Sequence, residues 1–383
     1  MAVRVVIGGA IAQQPLGAGG NAWAFLQYVL GLRELGCEVL YVEHVDAGKC
    51  IDEEWRPAPF RQSANARYFA SIAKRFDLET HASLIERGGD HLGLSHAEIT
   101  QWAGAADLFI NLSGRFHLWD VLRATRRRLY VDLDPGFTQI WQAQYGVDMN
   151  LAGHDAYATV GLNLGGEDCP LPTLGITWHT TVPPVVLSEW RTASAPGDAY
   201  TTVGDWRGYS PVEWDGSWYG QKAEEFLKVV SLPNRVSTPL ELCLAIHRDE
   251  PDRLALVENG WRLSDPRERA ADPDAYRQFV FGSRGEFSVA KHGYVHGRTG
   301  WVSDRTACYL AAGRPAVVQD TGLARHLDVG AGLLVFRDVD GAAAALRAVE
   351  TDYATHAAAA RRLAERVFAS RRVLPRLLDI AGV

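Results

Sequence analysis

Basic, hydroxyl and glycine residues crowd into one stretch, residues 286–322. A short apolar run at 287–290 leads into a loop with Lys291, Gly297, Arg298 and Gly300, then Ser303, Asp304, Arg305 and Thr306. Ser303 is suited to cap a helix over 304–312, which Gly313 and Pro315 would stop. Residues 316–319 read as a strand ending in Gln319, Asp320, Thr321 and Gly322. A strand, a basic glycine loop and a capped helix start form a concave site with a positive pole. A diphosphate suits that chemistry.

Ligands of open α/β sheets sit beyond the carboxyl ends of strands, so polar residues just after predicted strands are the next candidates. In the second half of the chain these are Asp205, Trp206 and Arg207, besides the residues of the 286–322 stretch. Arg207, Lys291 and Arg298 carry the charge to neutralise a leaving diphosphate. Trp206 has two readings, a stack on a base or a packed core side chain. Asp320, beside Gln319, is a good acceptor for two vicinal hydroxyls. In the first half the candidates are Glu43 and His44, Ser113 and Arg115, Asp132 and Asp134, and His179. A transfer that inverts a carbon centre needs a base at the acceptor hydroxyl, commonly His or a carboxylate, which selects Glu43, His44 and Asp134. Asp132 and Asp134, two apart, can also share a divalent ion. The Pro135-Gly136 that follows reads as an ordinary strand exit, and no metal site is assigned.

The elements that must position these residues alternate. A strand at 3–7, a loop with Gly17, Gly19, Gly20 and Asn21, a helix at 22–35 and a strand at 37–42 open a doubly wound sheet. Residues 55–94 are predicted mainly helical. Strands are expected at 107–112, 128–133, 155–161 and 174–179. A Pro, Ser and Ala-rich stretch at 183–196 precedes a new strand at 199–203, which places a domain boundary near 198. Helices at 221–230, 250–259, 274–281 and 342–350 then alternate with strands at 240–246 and 333–336. A last helix spans 353–370, and the tail at 371–383 is expected to pack back on the first domain.

Length and composition bound the function. A chain of 383 residues suggests two domains, here 1–198 and 199–370. A net charge of −7 speaks against a nucleic-acid partner. The five cysteines are scattered, without metal-ligand spacing, as in a reduced cytoplasmic protein. No apolar run reaches the roughly 18 residues of an integral membrane segment. Oligomeric state is not legible.

Residues 286–322 resemble the donor-binding segment of glycosyltransferases with two facing Rossmann-like domains, the GT-B fold, of the group-one-like kind. Ser303, Arg305, Ala311, Gly313 and Pro315 carry the match. Cys308 stands where that segment has the Glu that holds the donor ribose. The resemblance implies an α/β protein of two Rossmann-like doubly wound domains facing across a cleft. It implies a metal-independent glycosyltransferase without a cofactor, moving a sugar from a UDP-, TDP- or GDP-linked donor to a small soluble acceptor, such as a natural-product scaffold. Trp206, Arg207, Lys291, Arg298, Ser303, Asp304, Arg305, Thr306 and Gln319 to Gly322 would hold the nucleotide sugar. Gly17, Gly19, Gly20, Asn21, Ser113 and Arg115 would face the acceptor. A nucleotide-sugar epimerase of the same architecture and a non-catalytic nucleotide or sugar binder are the alternatives.

Overall fold

The computed structural model describes residues 2–46, 48–191 and 194–383. The apolar runs of the first half build one sheet of eight strands: β1 (Arg4–Gly8), β2 (Glu38–Val45), β3 (Ala82–Glu86), β4 (His91–Leu92), β5 (Leu108–Leu112), β6 (Arg127–Asp132), β7 (Ala156–Thr159) and β8 (His179–Thr180). Their order is β4-β3-β2-β1-β5-β6-β7-β8. All neighbours are parallel except β4, which returns antiparallel to β3. Parallel strands must be covered on both faces, and the burial follows. Val5 and Ile7 face one apolar cluster, and Val6 faces another with Leu40, Val42 and Phe109.

The second half gives β9 (Tyr200–Asp205), the hairpin strands β10 (Val212–Trp214) and β11 (Ser217–Tyr219), β12 (Leu240–Ala245), β13 (Arg262–Ser264), β14 (Gly285–Ser288), β15 (Ala316–Gln319) and β16 (Leu333–Phe336). Apart from the hairpin they form one parallel sheet, in the order β13-β12-β9-β14-β15-β16. In each sheet the first strand of the half sits inside, with the next strands of the sheet laid down on one side of it and the later ones on the other. That is the switch point at which such sheets bind ligands. The fold is thus α/β, with two doubly wound parallel sheets.

Four elements differ from expectation. Only Ala64–Arg75 is a full helix within 55–94, and Ala82 to Glu86 is a buried strand instead. Its run Ala-Ser-Leu-Ile is buried on both faces, as a strand beside β2 must be, and such short runs carry no period to separate strand from helix. Of 174–179, only His179 enters a strand. The first helix begins at Gly19 and not at Ala22. The last helix stops at Leu363, passes through a π turn at Ala364–Phe368, and breaks at Ala369, whose ψ is 127°. A separate helix, Ser370–Ala381, then packs on the first helix and on β6 and β7 of the first sheet.

Candidate functional site

The carboxyl ends of β9 and β12, the polar end of β13 and the start of helix Asp304–Ala311 face the loop before helix Gly19–Glu34 across a cleft of about 970 Å³. From the first half, Gln14, Leu16, Gly17, Gly20 and Asn21 line it. Helix Gly19–Glu34 begins there with no side-chain cap and no acid in its first turn, a start whose polarity suits an anion. Gly19 itself is turned away, its N–H donated to Ala270 O at 3.0 Å.

Opposite that helix start lies a cationic cluster. Lys222, the first residue of helix Lys222–Lys228, lines the cleft with Lys291 and Arg305. Lys222 and Arg305 approach each other across Gly204. A Cβ there would stand 2.9 Å from Lys222 Nζ and 3.8 Å from Arg305 Nη1, so a side chain at 204 would push the Lys222 ammonium aside. Arg305 is pinned: Nε donates to Glu286 Oε1 at 2.7 Å and Nη1 to Val203 O at 2.8 Å. Its Nη2 is buried without a partner among the described residues. No carboxylate among the described residues pairs with Lys222. Burial, then the charges of Arg305 and Lys291, push its pKa down to about 8, against the pull of Asp205 and Asp304. Lys291 is matched by Asp134 and Arg305 by Glu286, so Lys222 and the unused guanidinium N–H are what the cluster offers to an anion.

Ser303 caps the 304 helix through Arg305 N at 3.2 Å and lines the cleft. Asp304, beside it, also lines the cleft, and burial raises its carboxyl above the usual range. Beyond the cations, Leu244, Ala245, Ile246, Leu263 and Ser264 form a mostly apolar wall at the β12 and β13 ends, rimmed by Arg248, Arg253 and Arg267. A flat base over such a wall and a diphosphate at the cations would fit one extended ligand.

Several expected residues lie elsewhere. Trp206 is 1% exposed, stacks on Phe226 and donates to Asp252 at 3.0 Å; it is a core residue and no base platform. Arg207 is on the rim, but Glu224, Glu250 and Asp252 hold its guanidinium. Arg298 does not line the cleft; its carbonyl accepts from Asn163 Nδ2 at 2.7 Å. Thr306, within helix Asp304–Ala311, is buried and does not line the cleft. Gln319, Asp320, Thr321 and Gly322 also lie off the cleft. Gln319 donates to Glu225 at 2.5 Å, Asp320 pairs with Arg337 at 2.9 Å, and Thr321 donates to Trp301 O at 2.7 Å. The 320–322 turn is drawn to the first half by Asn163, whose Nδ2 reaches Gly322 O at 3.3 Å.

The three expected bases are all engaged inside the protein. Glu43 is fully buried, accepts from Ala12 N at 2.9 Å and from Tyr41 at 3.0 Å, and is pushed up to about 7 by burial. It holds the loop in front of the first helix. His44 is 2% exposed, with Nε2 3.0 Å from His117 Nε2, and burial lowers it to about 4. Asp134 accepts from Lys291, Tyr209 and Tyr294. Asp132 is enclosed by Thr138, Gln139 and Thr159, so the two aspartates do not open onto one ion. Ser113 Oγ accepts from Leu133 N at 3.2 Å, and Arg115 is exposed nearby. Cys308 is buried against Gln27, with Sγ 3.6 Å from Nε2, away from the cleft.

Sequence reasoning missed Lys222. Its signal is weak, because the β10–β11 hairpin separates it from the end of β9.

No protein-family model and no curated protein sequence matches the chain. Solved structures do. An α-glucosyltransferase in complex with UDP and a mismatched DNA aligns over 100% of both chains with a TM-score of 0.59 at 10% identity. HepE of Anabaena, in complex with UDP and glucose, aligns over 99% of both chains with a TM-score of 0.59 at 10% identity. Sucrose-phosphate synthase of Thermosynechococcus elongatus aligns over 99% of this chain and 98% of its own, with a TM-score of 0.56 at 10% identity. The chain therefore has the GT-B fold.

Proposed function

We propose that the protein is a glycosyltransferase that takes its sugar from a nucleoside diphosphate donor. The observation that carries this is the convergence in one cleft of Lys291 with Lys222 and Arg305, the last two meeting across Gly204, beside the start of the 304 helix. Lys222 and the free Nη2 of Arg305 would bind the diphosphate and take up charge as it leaves, work done elsewhere by a divalent ion. The apolar wall at Leu244 to Ile246 would receive the base. Asp304, one helical turn before Cys308, would hold the ribose in place of the Glu expected at 308. The uncapped start of the first helix, at Gly20 and Asn21, would face the transferred sugar. The acceptor would be a small soluble molecule such as a natural-product scaffold, in keeping with the net charge of −7.

Calorimetric titration with UDP, TDP and GDP, followed by incubation with the matching donor sugars without added magnesium or manganese, tests the proposal. Tight diphosphate binding and slow release of free sugar are expected. A sugar epimerised while still attached would make the protein an epimerase, and binding without turnover a binder. A strict need for magnesium would remove the metal-free reading.

A further inference from the structure

The first sheet carries a second cluster outside the cleft. His44 and Asp46 lie two apart at the carboxyl end of β2, so their side chains leave the same face. His117 reaches the same place from the loop after β5. One ligand atom from each of the three lies within 4.8 Å of the others, and among the described residues this is the one such group of three or more potential ligands.

We propose that His44, Asp46 and His117 form a binding site for a divalent late first-row transition-metal ion, zinc in the first place. The two Nε2 atoms are 3.0 Å apart. With zinc–nitrogen bonds of about 2.0–2.1 Å, that separation corresponds to an N–Zn–N angle of about 94°. An opening of a few tenths of an ångström would reach the tetrahedral angle. The ligand set selects the metal class, because two imidazoles and one carboxylate suit zinc, nickel or copper better than magnesium or calcium.

The site is also prepared from behind. His44 is packed against Phe116, and the loop that delivers His117 is clamped one residue earlier. Buried Asn111 accepts from Phe116 N at 3.1 Å and donates to Phe116 O at 2.9 Å. Arg87 touches Asp46 at 3.5 Å through one carboxylate oxygen, which leaves the other for the ion. Asp46 is exposed and His117 half-buried, so a fourth position opens to solvent, the arrangement of zinc sites that keep an exchangeable ligand. The site adjoins the cleft through Gln13, whose Nε2 lies 3.4 Å from His44 O, next to cleft-lining Gln14.

The test is titration of the metal-stripped full chain with zinc in competition with a chromophoric chelator, and with cobalt read by its visible absorption. One ion per chain is expected. His117→Ala and Asp46→Asn, both at accessible positions, should each weaken it at least tenfold with unchanged thermal midpoints. His296→Ala is the control, because His292 and His296 also stack on one helix, with ring centroids 5.5 Å apart; it should change nothing. Absence of zinc binding, undiminished binding in both site variants, or loss confined to His296→Ala would overturn the proposal.

Discussion

Lys291 Nζ lies 3.1 Å from both carboxylate oxygens of Asp134, a contact that joins the end of the second sheet's β14 to the loop after the first sheet's β6. The rings of Phe137, Tyr209 and Tyr294 surround the ammonium at 5.1, 4.3 and 5.1 Å. Tyr209 and Tyr294 also donate to Asp134. The pair is largely enclosed, with side-chain exposures of 17% and 23%. Lys291 thus lines the cleft from the second half while its charge is matched from the first half, and the two halves are fastened at the cleft.

Breaking that pair should cost more than removing it. A partly buried charge stripped of its partner costs about 3–5 kcal/mol, whereas replacing both can be nearly neutral. Lys291→Met and Asp134→Asn are each expected to lower the urea midpoint, and the double variant to recover most of the loss. Additive losses in the double-mutant cycle would show that the two side chains act independently.

Lys222 should be the cation on which diphosphate binding depends, since Lys291 is matched by Asp134 and most of Arg305 is spent on Glu286 and Val203. A charge-assisted hydrogen bond to phosphate is worth about 1.5–3 kcal/mol. Lys222→Met is therefore expected to weaken UDP by roughly ten- to a hundredfold, to leave uridine unchanged, and to leave the thermal midpoint no lower. Calorimetry with both ligands measures this. Equal weakening of both would place Lys222 at the base or in the fold.

The same residue sets a pH dependence. Lys222 has a pKa of about 8 in the free protein, held there by burial and by Arg305 and Lys291 against Asp205 and Asp304. Below that value it is charged and ready for phosphate. Above it, binding must first recover a proton, so UDP affinity should fall as pH rises from 7 to about 9.5, bending near 8. Lys222→Arg keeps its charge throughout and should flatten the curve. A bend that survives in Lys222→Arg would assign it to another group.

Gly19 tests the fit of the two halves. A Cβ there would stand 2.1 Å from Asp272 O and 2.9 Å from Ala270 O, backbone atoms of the second half that have no side-chain freedom to yield. Gly19→Ala is expected to destabilise the chain by about 1–3 kcal/mol, as overpacking does. An unchanged thermal midpoint would mean that this contact opens freely in solution.

How much of this was legible follows the range of each interaction. Ser303 and Arg305 were readable because a helix cap is local chemistry, three or four residues long. The alternation of strands was largely readable for the same reason, but not at Ala82 to Glu86, where a short apolar run carries no period, nor at 174–179, where only His179 enters a strand. What depends on distant partners was not. Trp206 is a core residue because Phe226 and Asp252 come to it, and Asp320 is taken by Arg337 across the sheet edge. Asp134 and Lys291 were each named as site residues, but nothing in a sequence says that two residues 157 apart will neutralise each other. Lys222 escaped because the β10–β11 hairpin hides its proximity to the end of β9.

Asp304 gives the sharpest test of how the nucleotide lies. It lines the cleft one turn before Cys308, while Cys308 itself faces Gln27 in the interior. If its carboxylate accepts from the ribose hydroxyls, the bond exists in the nucleoside and in the diphosphate alike. Asp304→Asn should then weaken uridine and UDP by the same factor, roughly tenfold for one hydrogen bond to a charged group. This is the opposite pattern from Lys222→Met, which should spare uridine. The two variants together separate the ribose from the phosphate by measurement alone. A carboxylate lying instead against the phosphates would repel them, and its removal would tighten UDP and leave uridine untouched. That outcome would reverse the direction of the nucleotide along the cleft and move the ribose toward Arg248 and Arg253.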